Sequence, residues 1–172
     1  ISMNILRKSI TGLGIAAGLL CPQLGWASCS GDTSVVVALV ATQSNLSWLC
    51  SYSISNTGSI SVNNAGSIGL INDDTIDNLS NNGTIVSSNA TNTYGIRNST
   101  GVIGSLVNTG TISSGNVAIS NNSSITSIDN SGTISGSSKG IGNTSGAIST
   151  ITNSGIISSS AGSAIYIQTS GS

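Results

Sequence analysis

Histidine, glutamate and phenylalanine are absent from this 172-residue chain, proline occurs once, and charged residues make up 5% of it. Without His there is no imidazole base for a nucleophilic Ser or Cys and no nitrogen ligand for a transition metal, so triad hydrolysis and zinc chemistry lose their usual groups. Four basic residues against five acidic ones give a net charge of −1. That leaves no cationic surface to neutralise phosphates and argues against nucleic acid as a partner. Aromatic residues, at 3%, are scarce, whereas Ser, Asn and Gly abound. Composition alone would suit low-complexity disorder, but regularly placed Ile, Val and Leu oppose it.

The regularity is a repeat. Asn-X-Gly-[Ser/Thr/Ile]-Ile occurs at Asn56 to Ile60, Asn64 to Ile68, Asn81 to Ile85, Asn108 to Ile112, Asn130 to Ile134 and Asn153 to Ile157. Each copy joins Asn, which tolerates left-handed backbone, to Gly, which prefers it, and then enters a β-branched residue, so it reads as a turn followed by a strand. The last copies are 130 − 108 = 22 and 153 − 130 = 23 residues apart. In phase with them run Gly95-Ile96-Arg97-Asn98, Ala118-Ile119-Ser120-Asn121 and Gly140-Ile141-Gly142-Asn143, followed by Ala164 to Ile167. A third motif, Ile103 to Leu106, Ile125 to Ile128 and Ile148 to Ile151, precedes each turn, with Ile76 to Leu79 as a looser copy.

Three short apolar segments per unit, bounded by Asn, Gly and Ser, predict three strands per coil of a right-handed parallel β-helix with coils of about 22 residues. Stacking then places Ile96 beneath Ile119, Ile141 and Ile165. It also aligns two Asn columns, Asn98 with Asn121 and Asn143, and Asn108 with Asn130 and Asn153, whose amides hydrogen-bond along the column. Ile167 takes the next place after Asn143 and is expected to break the first column.

The N-terminus is a separate device. Arg7 and Lys8 precede an apolar stretch from Ile10 to Leu20 and a small-residue end at Gly25-Trp26-Ala27, the pattern of a cleavable signal peptide cut between Ala27 and Ser28. A retained anchor is disfavoured, because a bilayer span needs roughly 20 residues; Trp26-Ala27-Ser28-Cys29 leaves a lipoprotein box as an alternative. Cys21 would leave with the signal, so Cys29 and Cys50 remain for a disulfide in an oxidising compartment, two buried free thiols being the alternative. The expected division is leader and signal over 1–27, an N-terminal cap with the Cys pair over 28–52, and β-helix coils over 53–172.

Candidate chemistry is thin. Gly136-Ser137-Ser138-Lys139-Gly140 matches the nucleophile-elbow pattern, but it lies between two strand signals and has no His to serve Ser138. Asp73, Asp74 and Asp77 suggest at most a weak calcium turn. Arg97 and Lys139 are the only cations after the signal and occupy different motif positions. Sequons at Asn45, Asn89, Asn98 and Asn143 are expected by chance in so Asn- and Ser-rich a chain. An ice-binding threonine ladder is disfavoured, since Thr91, Thr93, Thr150 and Thr152 do not recur at the coil period. No enzyme activity, cofactor or metal is expected of this segment.

A cleavable signal, a cysteine pair near the mature start, and coils built on Tyr94 to Asn98, Ile103 to Ile112 and Ile125 to Ser135 resemble the passenger region of bacterial autotransporters. The resemblance covers about residues 3–172 and implies export, translocation through a C-terminal outer-membrane β-barrel, and display or release at the cell surface. It further implies adhesion, autoaggregation or host interaction, with host-cell surfaces, glycans or identical passengers as partners. A barrel needs alternating strands of about ten residues and aromatic girdles, which this chain lacks, so it reads as an N-terminal fragment of a longer protein. The alternative is the stalk of a secreted enzyme or toxin whose catalytic domain lies beyond residue 172.

Overall fold

The structure is a computed structural model that describes residues 34–36, 43–44 and 52–168. The expected cleavage between Ala27 and Ser28 and the expected Cys29–Cys50 pair lie outside the described residues. Two short strands, β1 (Ser34–Val36) and β2 (Gln43–Ser44), fall in the segment expected as cap. Five coils follow. The first holds β3 (Tyr52–Asn56), β4 (Ser59–Val62) and β5 (Ile68–Asn72), and the second β6 (Thr75–Asn81), β7 (Thr84–Ser87) and β8 (Tyr94–Asn98). The third holds β9 (Val102–Asn108), β10 (Thr111–Ser114) and β11 (Val117–Asn121). The fourth is β12 (Ser124–Asn130), β13 (Thr133–Gly136) and β14 (Lys139–Asn143). The fifth is β15 (Ala147–Asn153), β16 (Ile156–Ser159) and β17 (Ser163–Ile167).

Like strands of successive coils pair in parallel, giving three sheets ordered β1-β3-β6-β9-β12-β15, β4-β7-β10-β13-β16 and β2-β5-β8-β11-β14-β17. The molecule is a three-sided β-solenoid. Register places like apolar residues over one another: Ile76, Ile103, Ile125 and Ile148 form one file of the first sheet, and Leu79, Leu106, Ile128 and Ile151 another. Ile60, Ile85, Ile112, Ile134 and Ile157 fill the second sheet's file, and Leu70, Ile96, Ile119, Ile141 and Ile165 the third's.

Burial depends on a covering coil. Ile96, Ile119 and Ile141 are 0% exposed, whereas Ile165, in the same file but in the last described coil, is 43% exposed. Each covered Ile contributes about 1.5 to 3 kcal/mol. The first sheet's strands depart from strict alternation: Asp77 and Asn78 both face outward between the buried Ile76 and Leu79. The Ile-X-X-Leu spacing is therefore the mark of a bend within the strand, since a straight one alternates with period two.

Coil length is not uniform at 22. Successive Asn residues of the first sheet's register are 81 − 56 = 25, 108 − 81 = 27, 130 − 108 = 22 and 153 − 130 = 23 apart. The corner between the first and second sheets always has two residues, 57–58, 82–83, 109–110, 131–132 and 154–155. Between the second and third sheets the chain instead spends residues 63–67, 88–93, 115–116, 137–138 and 160–162. Most of the extra length thus sits at this corner, where it disturbs no inward file, and the corner between the third and first sheets adds one residue at 99–101 and at 144–146.

The Asn64 to Ile68 copy of the turn motif lies in that variable corner and is out of phase with the other five. Its Gly66 has φ 74° and is the one glycine with positive φ among the described residues. The left-handed reading of the remaining turns is therefore corrected. Their glycines are required for a different reason, close approach between coils: a Cβ on Gly110 would lie 2.0 Å from the Gly83 carbonyl oxygen, one on Gly132 2.1 Å from that of Gly110, and one on Gly155 2.2 Å from that of Gly132.

Beside these glycines the Asn side chains stack. Asn56 Nδ2 donates to Asn81 Oδ1, Asn81 to Asn108, Asn108 to Asn130 and Asn130 to Asn153, each at 2.7 Å. A second file runs from Asn72 through Asn98 and Asn121 to Asn143, again at 2.7 Å per step. Both files extend earlier in the chain than the columns expected from the repeat. The remaining amide hydrogen reaches backbone, as in Asn108 Nδ2 to the Gly110 and Thr133 carbonyls, both at 3.2 Å. Buried amides are thereby satisfied without water.

The second file stops where Ile167 pairs with Asn143. Asn143 donates to the Gly146 carbonyl at 2.7 Å, and Ile167 is 48% exposed. Ile167→Asn supplies an acceptor for the second amide hydrogen of Asn143 and is expected to stabilise the chain by about 1 kcal/mol. Urea unfolding checks this; an unchanged or lower midpoint contradicts it.

Candidate binding groove

The outer face of the third sheet gathers most of the unusual chemistry of the described residues. In its five-residue strands the first and fourth positions face outward, because the second and third, Gly95 and Ile96 in β8, are both buried. One outward file runs Tyr94, Val117, Lys139 and Ser163. The other runs Arg97, Ser120, Gly142 and Tyr166. Arg97 and Lys139, which differ in motif position, thus share one face two coils apart.

Each cation lies over a tyrosine. The Arg97 guanidinium carbon is 5.4 Å from the centre of the Tyr94 ring, and Lys139 Nζ is 5.0 Å from that of Tyr166. Arg97 Nε is buried without a hydrogen-bond partner. Between the two pairs the side chains are small, and a depression of about 280 Å³ opens there. Tyr94 and Lys139 wall it, Val117, Ser120 and Gly142 floor it, and Asn116, Asn122 and Thr144 form the rim. Ser120 is 7% exposed and its hydroxyl has no hydrogen-bond partner among the described residues. Thr144 Oγ1 donates to Asn122 Oδ1 at 2.7 Å, which fixes that edge.

The described acids lie elsewhere. Asp77 and Asp129 are exposed on the first sheet, and Asp73 and Asp74 form the corner between β5 and β6. No group of three metal-ligating residues occurs among the described residues, so Asp73, Asp74 and Asp77 do not assemble a cation site. Ser138 sits in a two-residue corner between β13 and β14, not at a strand-to-helix elbow. Of the sequons, Asn98 and Asn143 are interior members of an amide file and closed to glycosylation.

A threonine file does exist where the earlier Thr pairs did not suggest one: Thr84, Thr111 and Thr133 align on the second sheet, with Ser59 before and Ile156 after. Beside it run Ser61, Val86, Ser113, Ser135 and Ser158. Val86 and Ile156 interrupt the hydroxyl array, leaving Ser59 with Ser61, Thr111 with Ser113 and Thr133 with Ser135 as its complete rows.

Fold and surface together define a parallel β-solenoid repeat protein with an amide-laddered core and, among the described residues, a groove that bears a cation beside a tyrosine. Comparison with protein-family models, with curated proteins and with solved structures finds no match.

Proposed function

We propose that this chain is a non-catalytic segment of an exported, surface-displayed passenger of the autotransporter type, serving adhesion or self-association. The observation that carries the reading is the division of labour across the coil. Ile, Leu and most in-phase Asn residues are committed to internal files, while Ser, Thr and Asn cover the outside and offer hydrogen bonds without reactive groups. Repetition multiplies weak contacts along one axis, which suits multivalent attachment. The test compares cells expressing the full gene with cells lacking the segment encoding 28–172, by adherence to host cells and by clumping. Loss of either property is expected; equal adherence and equal clumping would sink the reading.

A further inference from the structure

We infer that the groove on the third sheet is a binding site for a carboxylate-bearing saccharide. The inference rests on the adhesion reading for its biological setting, while binding itself is a property of the groove. Three observations converge. Of the two basic residues among the described ones, Lys139 lines the depression and Arg97 is the ladder neighbour of its Ser120, and neither forms an ion pair with a described carboxylate. Lys139 lines the depression with its ammonium 5.0 Å from the centre of the Tyr166 ring, and an incoming carboxylate gains a charge-assisted hydrogen bond from it.

The floor supplies the second. Ser120 is nine-tenths buried, lines the depression and has no partner for its hydroxyl, and the Asn116 side-chain amide, also in the lining, has no partner among the described residues. A hydroxyl-rich ligand satisfies both, whereas a purely apolar one would leave them stranded. Third, Tyr94 and Val117 add apolar surface against which the C–H face of a sugar ring packs. Gly142 makes the room: a Cβ there would sit 3.0 Å from Lys139 Cδ and 3.4 Å from Val117 Cγ1, inside the cavity and away from the core.

The experiment titrates the isotopically labelled full chain by NMR with a glucuronate-terminated disaccharide and, separately, with its glucose-terminated counterpart. The acidic sugar is expected to bind at least roughly tenfold more tightly and to shift Tyr94, Ser120 and Lys139 resonances. Lys139→Gln should remove that preference, Lys139→Arg should retain it, and Gly142→Leu should abolish binding by filling the groove while leaving the spectrum of the core unchanged. Equal binding of both sugars, binding unaltered in Gly142→Leu, or no binding at millimolar concentration overturns the inference. So does dimerisation abolished by Lys139→Gln without sugar binding, which would assign the cations to the acidic face of a second copy. Should cells adhere equally with and without the segment while the disaccharide still binds, the adhesion reading fails and the groove stands; adherent cells with a groove that binds nothing give the reverse.

Discussion

Gly110→Ala is expected to destabilise the chain by about 3 kcal/mol or more, because overpacking against atoms that cannot move is the costly kind. The new methyl would lie 2.0 Å from the Gly83 carbonyl oxygen, 2.8 Å from the Asn82 carbonyl carbon and 3.0 Å from the Asn82 carbonyl oxygen, all backbone. Relief requires the third coil to lift from the second. That stretches the Thr111 N–H to Gly83 carbonyl bond of 2.9 Å and the Asn81 to Asn108 amide bond of 2.7 Å in the same motion. Since coils in a solenoid are stabilised by their nearest neighbours, the damage should also separate the unfolding of coils on either side. Gly66→Ala provides the contrast: nothing lies within 4 Å of its Cβ position, and the left-handed φ of 74° alone should cost about 1 kcal/mol. Urea denaturation of both variants decides it; Gly110→Ala within about 0.5 kcal/mol of the parent chain would refute the close-approach account.

Asn108→Ala should be nearly as damaging, at about 3 kcal/mol, since a buried polar group left unpaired costs roughly 1 to 3 kcal/mol. Asn108 is 0% exposed and sits mid-file. Removing its amide takes from the buried Asn130 Oδ1 its 2.7 Å donor, while Asn81 Nδ2 loses its 2.7 Å acceptor but keeps the Gly83 and Thr111 carbonyls at 3.3 and 3.1 Å. Asn153→Ala breaks only the file's exposed end, where the Asn130 donor still has the Gly132 and Ile156 carbonyls at 3.2 Å. A cost of about 1 kcal/mol is expected there. The measurement is the difference between the two unfolding free energies. Equal costs would mean that the amides stabilise one by one through local turns and gain nothing from the stack.

The inward side of this fold is legible in the sequence because it repeats. Ile, Leu and Asn recur at positions where the only available neighbour is the same residue one coil away, so spacing alone places Ile96 with Ile119 and Asn108 with Asn130. The glycines are a different matter. Their local context suggests left-handed backbone, and only the carbonyl of the coil beneath reveals the steric demand at Gly110. The first coils hid their phase for a related reason: residues 63–67 and 88–93 lengthen one corner without touching the core, which shifts the count but not the register.

The groove was the least visible feature. Arg97 and Lys139 hold the fourth and first positions of their strands, which strict alternation would send to opposite faces. Burial of both Gly140 and Ile141 in β14, as of Gly95 and Ile96 in β8, turns both positions outward. The threonine file was in plain view within Asn-X-Gly-Thr-Ile, but spacing between neighbouring Thr residues does not disclose it, because its period is the coil.

The amide files also give the solenoid a direction. Along the first file every Nδ2 points from an earlier coil to a later one, as from Asn81 to Asn108. At the same corner the backbone runs the other way, the Thr109 N–H of the later coil reaching back to the Asn81 carbonyl. Side-chain and main-chain hydrogen bonds at this corner therefore point in opposite directions, coil after coil. The two ends of the file are chemically unlike: the Asn56 end presents an amide oxygen, the Asn153 end amide hydrogens. Coils add to it in one orientation only.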